Sequence, residues 1–153
     1  MKKIIQFLRQ LLGLNKPTTV TIQEIAQQYQ QQDEELVLLQ LINQHRQTIG
    51  LGELKLVNYL SYKCQQHNIT MIKDGVPSHN GNVQRFDEVM SYLKVESVAE
   101  NVAYNYSTPN GAFTAWMKSK GHRENLEGDF TQIGLSTMKD GTSHKYYTNI
   151  FTK

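Results

Sequence analysis

The spacing of apolar residues in this 153-residue chain changes once, near residue 130. Before that point apolar residues recur every three to four positions, as on amphipathic helices, and after it they alternate with polar residues, as on strands. The alternating segments 130–138 and 146–151 flank Lys139–Thr142, whose Asp-Gly pair is typical of a tight hairpin turn. Helices followed by a closing antiparallel pair predict the α+β class rather than a doubly wound parallel sheet.

The helical spacing is strong enough to place several elements before the hairpin. It predicts a helix starting at Thr21 and further helices over residues 33–48, 54–71, 85–93 and 112–119. The segment 97–106 is too short to be assigned by periodicity. No internal repeat is visible, so one core is expected.

The stretch from Trp116 to Leu126 combines a helix end with a titratable side chain. A helix ending at Lys120 would have Gly121 as the residue beyond it, where glycine adopts a positive φ without a steric clash. His122 would then lie just past the helix end, where exposed carbonyls favour a cation and can tune an imidazole pKa. The predicted helix cap explains why a glycine stands at position 121, but it does not explain why a histidine follows it.

Composition excludes several classes of function. The net charge is +2, from 16 basic and 14 acidic residues, which gives no field of one sign for neutralising phosphates. A nucleic-acid partner is therefore not expected. The single cysteine, Cys64, excludes an intrachain disulfide and a cysteine-built zinc site. The fold must then be stabilised by packing.

The first 19 residues are predicted to form a separate unit, and the domain proper is predicted over residues 20–153. Apolar residues on one helical stripe alternate with Lys2, Lys3 and Arg9, the pattern of a short amphipathic helix, and a linker with Pro17 follows. The apolar run is too short to span a bilayer. Packing on the domain, a degenerate export signal and attachment to a membrane surface stay open as interpretations.

Three residues on loops or element ends are candidates for function: His79, Glu100 and His122. Each also has a structural explanation. His79 would be a turn residue, Glu100 would pair with a lysine, and His122 would complement the charge at a helix end. The pair of Cys64 and His67 has the types of a nucleophile and a base, but a helix interior offers neither a pocket nor an oxyanion donor. Phosphate-binding loops, nucleophile elbows and His-Glu-x-x-His helices do not occur in the sequence.

The order of several short motifs resembles the CAP superfamily of cysteine-rich secretory proteins, antigen 5 and pathogenesis-related proteins, also called SCP-like. The likeness is greatest to short bacterial members and covers about Leu36 to Phe151. Any one of these motifs is weak, but their order is specific. The series comprises Leu41–Arg46, Gly50-Leu51, Leu54, Leu60, His67, Ser78-His79, Ala99–Ala103, Trp116, Ser119, Gly121–Arg123, Asn125-Leu126, Phe130-Thr131 and Ile133-Gly134.

The resemblance implies an α-β-α sandwich with a central antiparallel sheet flanked by helices. It also implies a central cleft that in intact family members holds two histidines and two acidic residues. His79 and His122 match the two histidines, and Glu100 matches the first glutamate. Ser119 stands where the second glutamate is expected, and serine does not replace a carboxylate as a ligand or a base.

These matches lead to a functional expectation with two alternatives, one of which is a purely structural or protein-interaction role. Two imidazoles and the carboxylate of Glu100 form a reasonable site for zinc or another divalent metal. The leading hypothesis is a non-catalytic binding domain in which His79, Glu100, His122 and Ser119 line a cleft for a metal or a small apolar ligand such as a lipid. The other alternative is a metal-dependent or histidine-based hydrolase that uses Glu100 and His122, with Glu100 as base. The family resemblance suggests an extracytoplasmic setting. The oligomeric state is not indicated by the sequence.

Overall fold

The computed structural model describes residues Thr21–Lys153, so the predicted N-terminal unit 1–19 lies outside the described residues. Six helices and four strands occur in the described range. In chain order they are α1 (Ile22–Gln27), α2 (Asp33–Thr48), β1 (Lys55–Leu56), α3 (Asn58–Asp74), α4 (Asn82–Leu93), β2 (Val98–Tyr104), α5 (Pro109–Lys118), α6 (Lys120–Leu126), β3 (Gln132–Lys139) and β4 (Lys145–Thr152).

The four strands form one sheet in the order β1-β3-β4-β2. The predicted hairpin is confirmed as β3 and β4, which pair in antiparallel register from Gln132 opposite Thr152 to Lys139 opposite Lys145. Strand β2, the segment that periodicity left unassigned, pairs antiparallel with β4 and lies at the edge of the sheet. The two residues of β1 pair parallel with β3, so the sheet is mixed.

Helices cover both faces of the sheet, which confirms the predicted α-β-α sandwich. On one face α2, α5 and α6 pack on the sheet through a core that includes Leu38, Trp116 and Leu126. On the other face α1, α3 and α4 pack through a second core that includes Leu60 and Val89. This sharing of the sheet by two apolar layers explains why β4 is buried along its whole length.

Local sequence signals set several of the helix ends. Thr21 caps α1 through a reciprocal capping box with Glu24. Helix α2 has the bounds that were predicted for it, and α3 ends at Gly75, whose φ of 69° is the left-handed conformation that glycine adopts without strain. The prediction that a helix starts at Leu54 is wrong, because residues 55 and 56 pair with β3 before α3 begins.

The predicted helix end at Lys120 is also wrong. Helix α5 ends at Lys118, Ser119 is extended with φ −94° and ψ 119°, and α6 begins at the next residue. Gly121 lies inside α6 and does not have a positive φ. His122 is therefore in the first turn of a second helix rather than beyond the end of the first. The extended residue Ser119 makes the corner that the glycine was expected to make.

A buried arginine fixes the position of α6 and the segment after it. The guanidinium of Arg46 donates to the carbonyls of Gly52, Leu126, Gly128 and Phe130 over distances of 2.8, 2.9, 2.9 and 3.3 Å. A buried charge of this kind is tolerated because its donors are paired. Arg46 thereby joins α2 to the end of α6 and to the entry of β3.

Helix α3 packs closely on the sheet at Gly134, and this contact predicts a large effect of adding one methyl group. A Cβ at Gly134 would lie 2.2 Å from the carbonyl carbon of Leu60 and 2.4 Å from the amide nitrogen of Ser61. Gly134→Ala is expected to lower the free energy of unfolding by about 1–3 kcal/mol or more. The matched control is Gly141→Ala, where a Cβ meets no atom within 4 Å. Urea denaturation of both variants checks this, and equal stabilities would contradict the packing described.

Candidate functional site

The residues predicted for the cleft meet at the free edge of β2. Glu100 lies on β2, and its side chain faces α3 and α4, since its register partner Ile150 packs in the core on that face. His79 lies on the loop between α3 and α4, while Ser119 and His122 come from the junction of α5 and α6 on the opposite face. Segments from both helical layers thus converge on one edge of the sheet.

Glu100 forms a bidentate ion pair with Arg85, a residue that sequence reasoning missed. Arg85 on α4 donates from Nε to Oε2 over 2.7 Å and from Nη2 to Oε1 over 2.9 Å. The Glu100 side chain is only 1% exposed, and that of Arg85 is 10% exposed. Planar, two-point pairing of this kind is the strongest arrangement between these side chains. Both carboxylate oxygens are therefore engaged.

His79 is oriented by the same carboxylate. Its Nδ1 lies 2.9 Å from Oε1 of Glu100. An ionised carboxylate only accepts hydrogen bonds, so in the neutral imidazole Nδ1 carries the proton and Nε2 has the free lone pair. The His79 side chain is 48% exposed. Its Nε2 is thus the nitrogen available to a ligand.

The environment of Glu100 favours its charged form. Burial alone would raise its pKa, but the hydrogen bonds from His79 and Arg85, with the charge of Arg85, outweigh burial and hold the pKa below its ordinary value. A carboxylate with a lowered pKa and occupied oxygens is a weak base. Its contribution at this site is to hold a proton on Nδ1 of His79.

His67, which the sequence analysis considered with Cys64 and set aside as part of a helix interior, is a second residue that lies close to Glu100. Its Nε2 lies 2.7 Å from the carbonyl of Ser78 and 3.7 Å from Oε1 of Glu100. Nε2 must be the donor to the carbonyl, so His67 anchors the loop one residue before His79. Its neighbour Cys64 is fully buried, and burial raises the pKa of that thiol. Because both residues have the spacing of core positions on α3, no sequence signal separated His67 from the core.

His122 is held on the other side of the edge by its backbone. Asn101 donates from Nδ2 to the carbonyl of His122 over 3.0 Å, and Asn125 in turn donates to Oδ1 of Asn101 over 2.8 Å. Burial lowers the pKa of the His122 imidazole, and the charge of His79 lowers it further.

A cavity of about 310 Å³ opens beside His122. This volume is at the lower end of the range of roughly 300–1,000 Å³ that small-molecule sites occupy. Its walls are mainly apolar and aromatic, with Ser119 and His122 among the polar members. The lining residues are Pro77, Val102, Ala103, Tyr104, Tyr106, Ala115, Trp116, Ser119 and His122.

A larger cavity, of about 960 Å³, lies between α1, α3 and α4. Tyr59 and Tyr92 stack in its wall with ring centroids 3.9 Å apart. It contains none of the residues that the sequence placed in the cleft. Two of the four predicted cleft residues, Ser119 and His122, line the smaller cavity, whereas His79 and Glu100 are not among its lining residues.

The donor set does not fit a metal site of three protein ligands. Among residues Thr21–Lys153, no group of three or more His, Cys, Asp and Glu side chains is arranged to hold a metal ion. The predicted ligand Glu100 has both oxygens bound to Arg85 and His79, and Ser119 supplies no carboxylate. Of the three predicted ligands, His79 and His122 keep a ring nitrogen that makes no hydrogen bond within the described residues.

The ion pair of Arg85 with Glu100 predicts that mutations of its two members have non-additive effects on stability. Arg85→Ala leaves the Glu100 carboxylate buried without its partner and is expected to lower the free energy of unfolding by about 3–5 kcal/mol. The double variant Arg85→Ala/Glu100→Ala should lose less than the sum of the single losses. Lys63→Ala is the control, because it breaks the more exposed pair of Lys63 with Glu88 and should cost under about 1 kcal/mol. Additive losses in chemical denaturation would contradict the coupling.

The buried histidines predict a pH dependence of stability. Burial lowers the pKa of both His67 and His122 in the folded state, so the unfolded chain takes up protons first as the pH falls. The stability that the two neutral imidazoles contribute is complete above about pH 6.5, the ordinary histidine pKa. It is lost as the pH falls through the lower pKa values of the folded state. His122→Asn should make the loss between about pH 8 and pH 5 smaller than in the wild type. Identical pH profiles in urea denaturation would contradict this.

Comparison with known proteins agrees with the architecture. The model of the cysteine-rich secretory protein family, CAP, matches residues 39–151. The chain is 30% identical over 109 residues to the Bacillus subtilis protein YkwD, covering 69% of this chain and 42% of YkwD. It therefore spans less than half the length of this curated relative.

Solved structures show the same fold. An outer surface protein of Borrelia burgdorferi superposes with a TM-score of 0.74 at 19% identity, covering 82% of this chain and 96% of that one. An extracellular protein of Bacillus anthracis that contains an SCP domain has a TM-score of 0.68 at 24% identity, over 78% and 40% of the two chains. None of the helices between Thr21 and Lys153 has the length and apolar character needed to cross a membrane. With 39–151 matched by the family model, this chain belongs to the cysteine-rich secretory protein (CAP) family.

Proposed function

We propose that this domain is a non-catalytic binding module that holds a small, largely apolar ligand in the cavity beside His122. The observation that carries the proposal is the lining of that cavity. Trp116, Tyr104 and Ala115 provide apolar surface, while Ser119 and His122 provide hydrogen-bonding groups. A concave, mainly apolar site with few polar groups is typical of small-molecule recognition.

The state of Glu100 supports binding rather than catalysis. Its lowered pKa and its ion pair with Arg85 make it a poor proton acceptor. The position where the family pattern has a second glutamate is Ser119, so no other carboxylate of that pattern replaces it. The buried thiol of Cys64 has a raised pKa and is a poor nucleophile.

One observation favours the alternative, a histidine-based hydrolase. Glu100 holds the proton on Nδ1 of His79 and leaves Nε2 free, which is how a carboxylate prepares an imidazole to act as a general base. In this alternative His79 would accept the proton from water, and Glu100 would orient it. Ester or peptide turnover that disappears in His79→Ala would support the alternative.

A divalent metal such as zinc stays a prediction restricted to the two imidazoles. Nε2 of His79 and the ring of His122 would hold the ion, which would polarise a bound water or ligand oxygen. Titration of Zn²⁺ by calorimetry into the wild type and into His79→Ala tests this. Equal heats in the two proteins would exclude the site.

We also propose an extracytoplasmic location. The support comes from fold neighbours whose names place them outside the cytoplasm, namely the outer surface protein of Borrelia burgdorferi and the extracellular protein of Bacillus anthracis. Cell fractionation of the native host, with an antibody against the domain, tests the proposal.

Filling the cavity tests the binding proposal directly. A ten-carbon compound such as decanoate should raise the melting temperature of the wild type, because a ligand that binds only the folded state stabilises it. Ala115→Trp places a bulky ring in the cavity wall and should abolish the shift. Thr114→Trp is the matched control, since Thr114 is exposed on the same helix and does not line the cavity. Equal shifts in both variants would place the ligand elsewhere.

A further inference from the structure

The edge of β2 that borders the cavity carries hydrogen-bonding groups of its own backbone. Ser97 and Lys153 exchange both of their amide hydrogen bonds, and Asn105 donates to the carbonyl of Lys145. In an antiparallel pair the positions that bond to the partner alternate. Residues 97, 99, 101, 103 and 105 therefore face β4, and the backbone groups of residues 98, 100, 102 and 104 point away from the sheet.

The outward carbonyls of this edge already have donors. Asn125 donates from Nδ2 to the carbonyl of Glu100 over 3.3 Å, and Trp116 donates from Nε1 to the carbonyl of Val102 over 3.0 Å. These bonds confirm that positions 100 and 102 face outward. They also prevent a neighbouring strand from using these carbonyls as acceptors.

The outward amides are left as donors. Because positions 102 and 104 point away from β4, the N–H groups of Val102 and Tyr104 lie outside the β2–β4 ladder, and within residues Thr21–Lys153 neither donates to a loop or a turn. Both residues line the cavity, together with His122 and the hydroxyl of Ser119. The edge thus offers a ligand two main-chain donors and an imidazole, while the carbonyl of Val102 is covered by Trp116.

We infer that the cavity selects ligands that end in a carboxylate. This inference rests on the proposed binding function and specifies the chemistry of the ligand's polar end. A carboxylate only accepts hydrogen bonds and pairs with amide and imidazole N–H donors, which strengthen when the acceptor is charged. The nearby Glu100 carboxylate is neutralised by Arg85, so it does not exclude an anion. An amine would face the same two main-chain donors, and among the groups named here it could donate only to the Ser119 hydroxyl and to the unprotonated nitrogen of His122.

Three ligands with the same ten-carbon chain distinguish the contribution of the polar end to affinity from that of the apolar chain. Calorimetry should give decanoate at least about tenfold tighter binding than decanol, and decylamine should not bind. Equal affinity for decanoate and decanol overturns this inference while leaving the proposed function standing. Absence of binding by all three overturns both.

Removing one amide proton tests the donor itself. Val102→Pro deletes the outward N–H without deleting a ladder bond, and Val102→Ala is the control that keeps it. The preference for decanoate over decanol should fall several-fold in the proline variant and persist in the alanine variant. Tyr104→Pro with Tyr104→Ala is the second pair, at the last residue of β2, for the case that the first proline prevents folding. An unchanged preference in a folded proline variant overturns the inference.

Discussion

The site depends on one buried ion pair, between Arg85 of α4 and Glu100 of β2. A carboxylate inside the protein is costly unless its charge is paired and its oxygens are bonded, and Arg85 provides both. The pair also ties a helix of one layer to the edge strand of the sheet. Because Glu100 is fixed in this way, it can hold Nδ1 of His79 on the loop that crosses the edge. A single interaction thus sets the position of the exposed imidazole.

On the second side of the cleft, side chains of α5 and α6 donate hydrogen bonds to backbone carbonyls at the free edge of β2. Trp116 and Asn125 donate to the outward carbonyls, so α5 and α6 are fixed to the same strand that carries Glu100. An edge strand left uncovered can pair with another chain, and these donors reduce that risk. The two histidines consequently approach one edge from opposite layers. Because fold alone does not define function, the proposed activity rests on these contacts rather than on likeness to other CAP proteins.

The sequence predicted the parts that are governed by local pattern. The hairpin β3–β4 and helix α2 follow from periodicity and turn residues, and they were placed correctly. Strand β2 was left unassigned because seven residues with mixed exposure show no clear period. The helix end near Gly121 was misplaced because Gly121 was interpreted as a C-terminal cap, whereas Ser119, with an extended backbone, is the N-cap of a second helix, a position that serine favours.

The candidate site was predicted in the residues that carry family motifs, whereas Arg85 was missed and His67 was set aside as a core residue. His79, Glu100 and His122 were found through the order of those motifs, although Glu100 was expected on a loop or element end and lies buried within β2. Arg85 and His67 have the spacing of ordinary helix positions, and their contacts to Glu100 join residues that lie on different elements of the chain. Such contacts exist only once α3, α4 and β2 have packed. The role of Glu100 therefore could not be derived from its type alone.

The tautomer of His79 is the most direct measure of the central claim, that Glu100 orients this imidazole. Nitrogen-15 NMR of the histidine rings at about pH 9, well above the ordinary histidine pKa of about 6.5, reports which nitrogen carries the proton. The structure predicts that Nδ1 of His79 is protonated in the wild type and that the tautomer ratio changes in Glu100→Gln. A wild-type His79 protonated on Nε2, or one that does not respond to Glu100→Gln, would contradict the account.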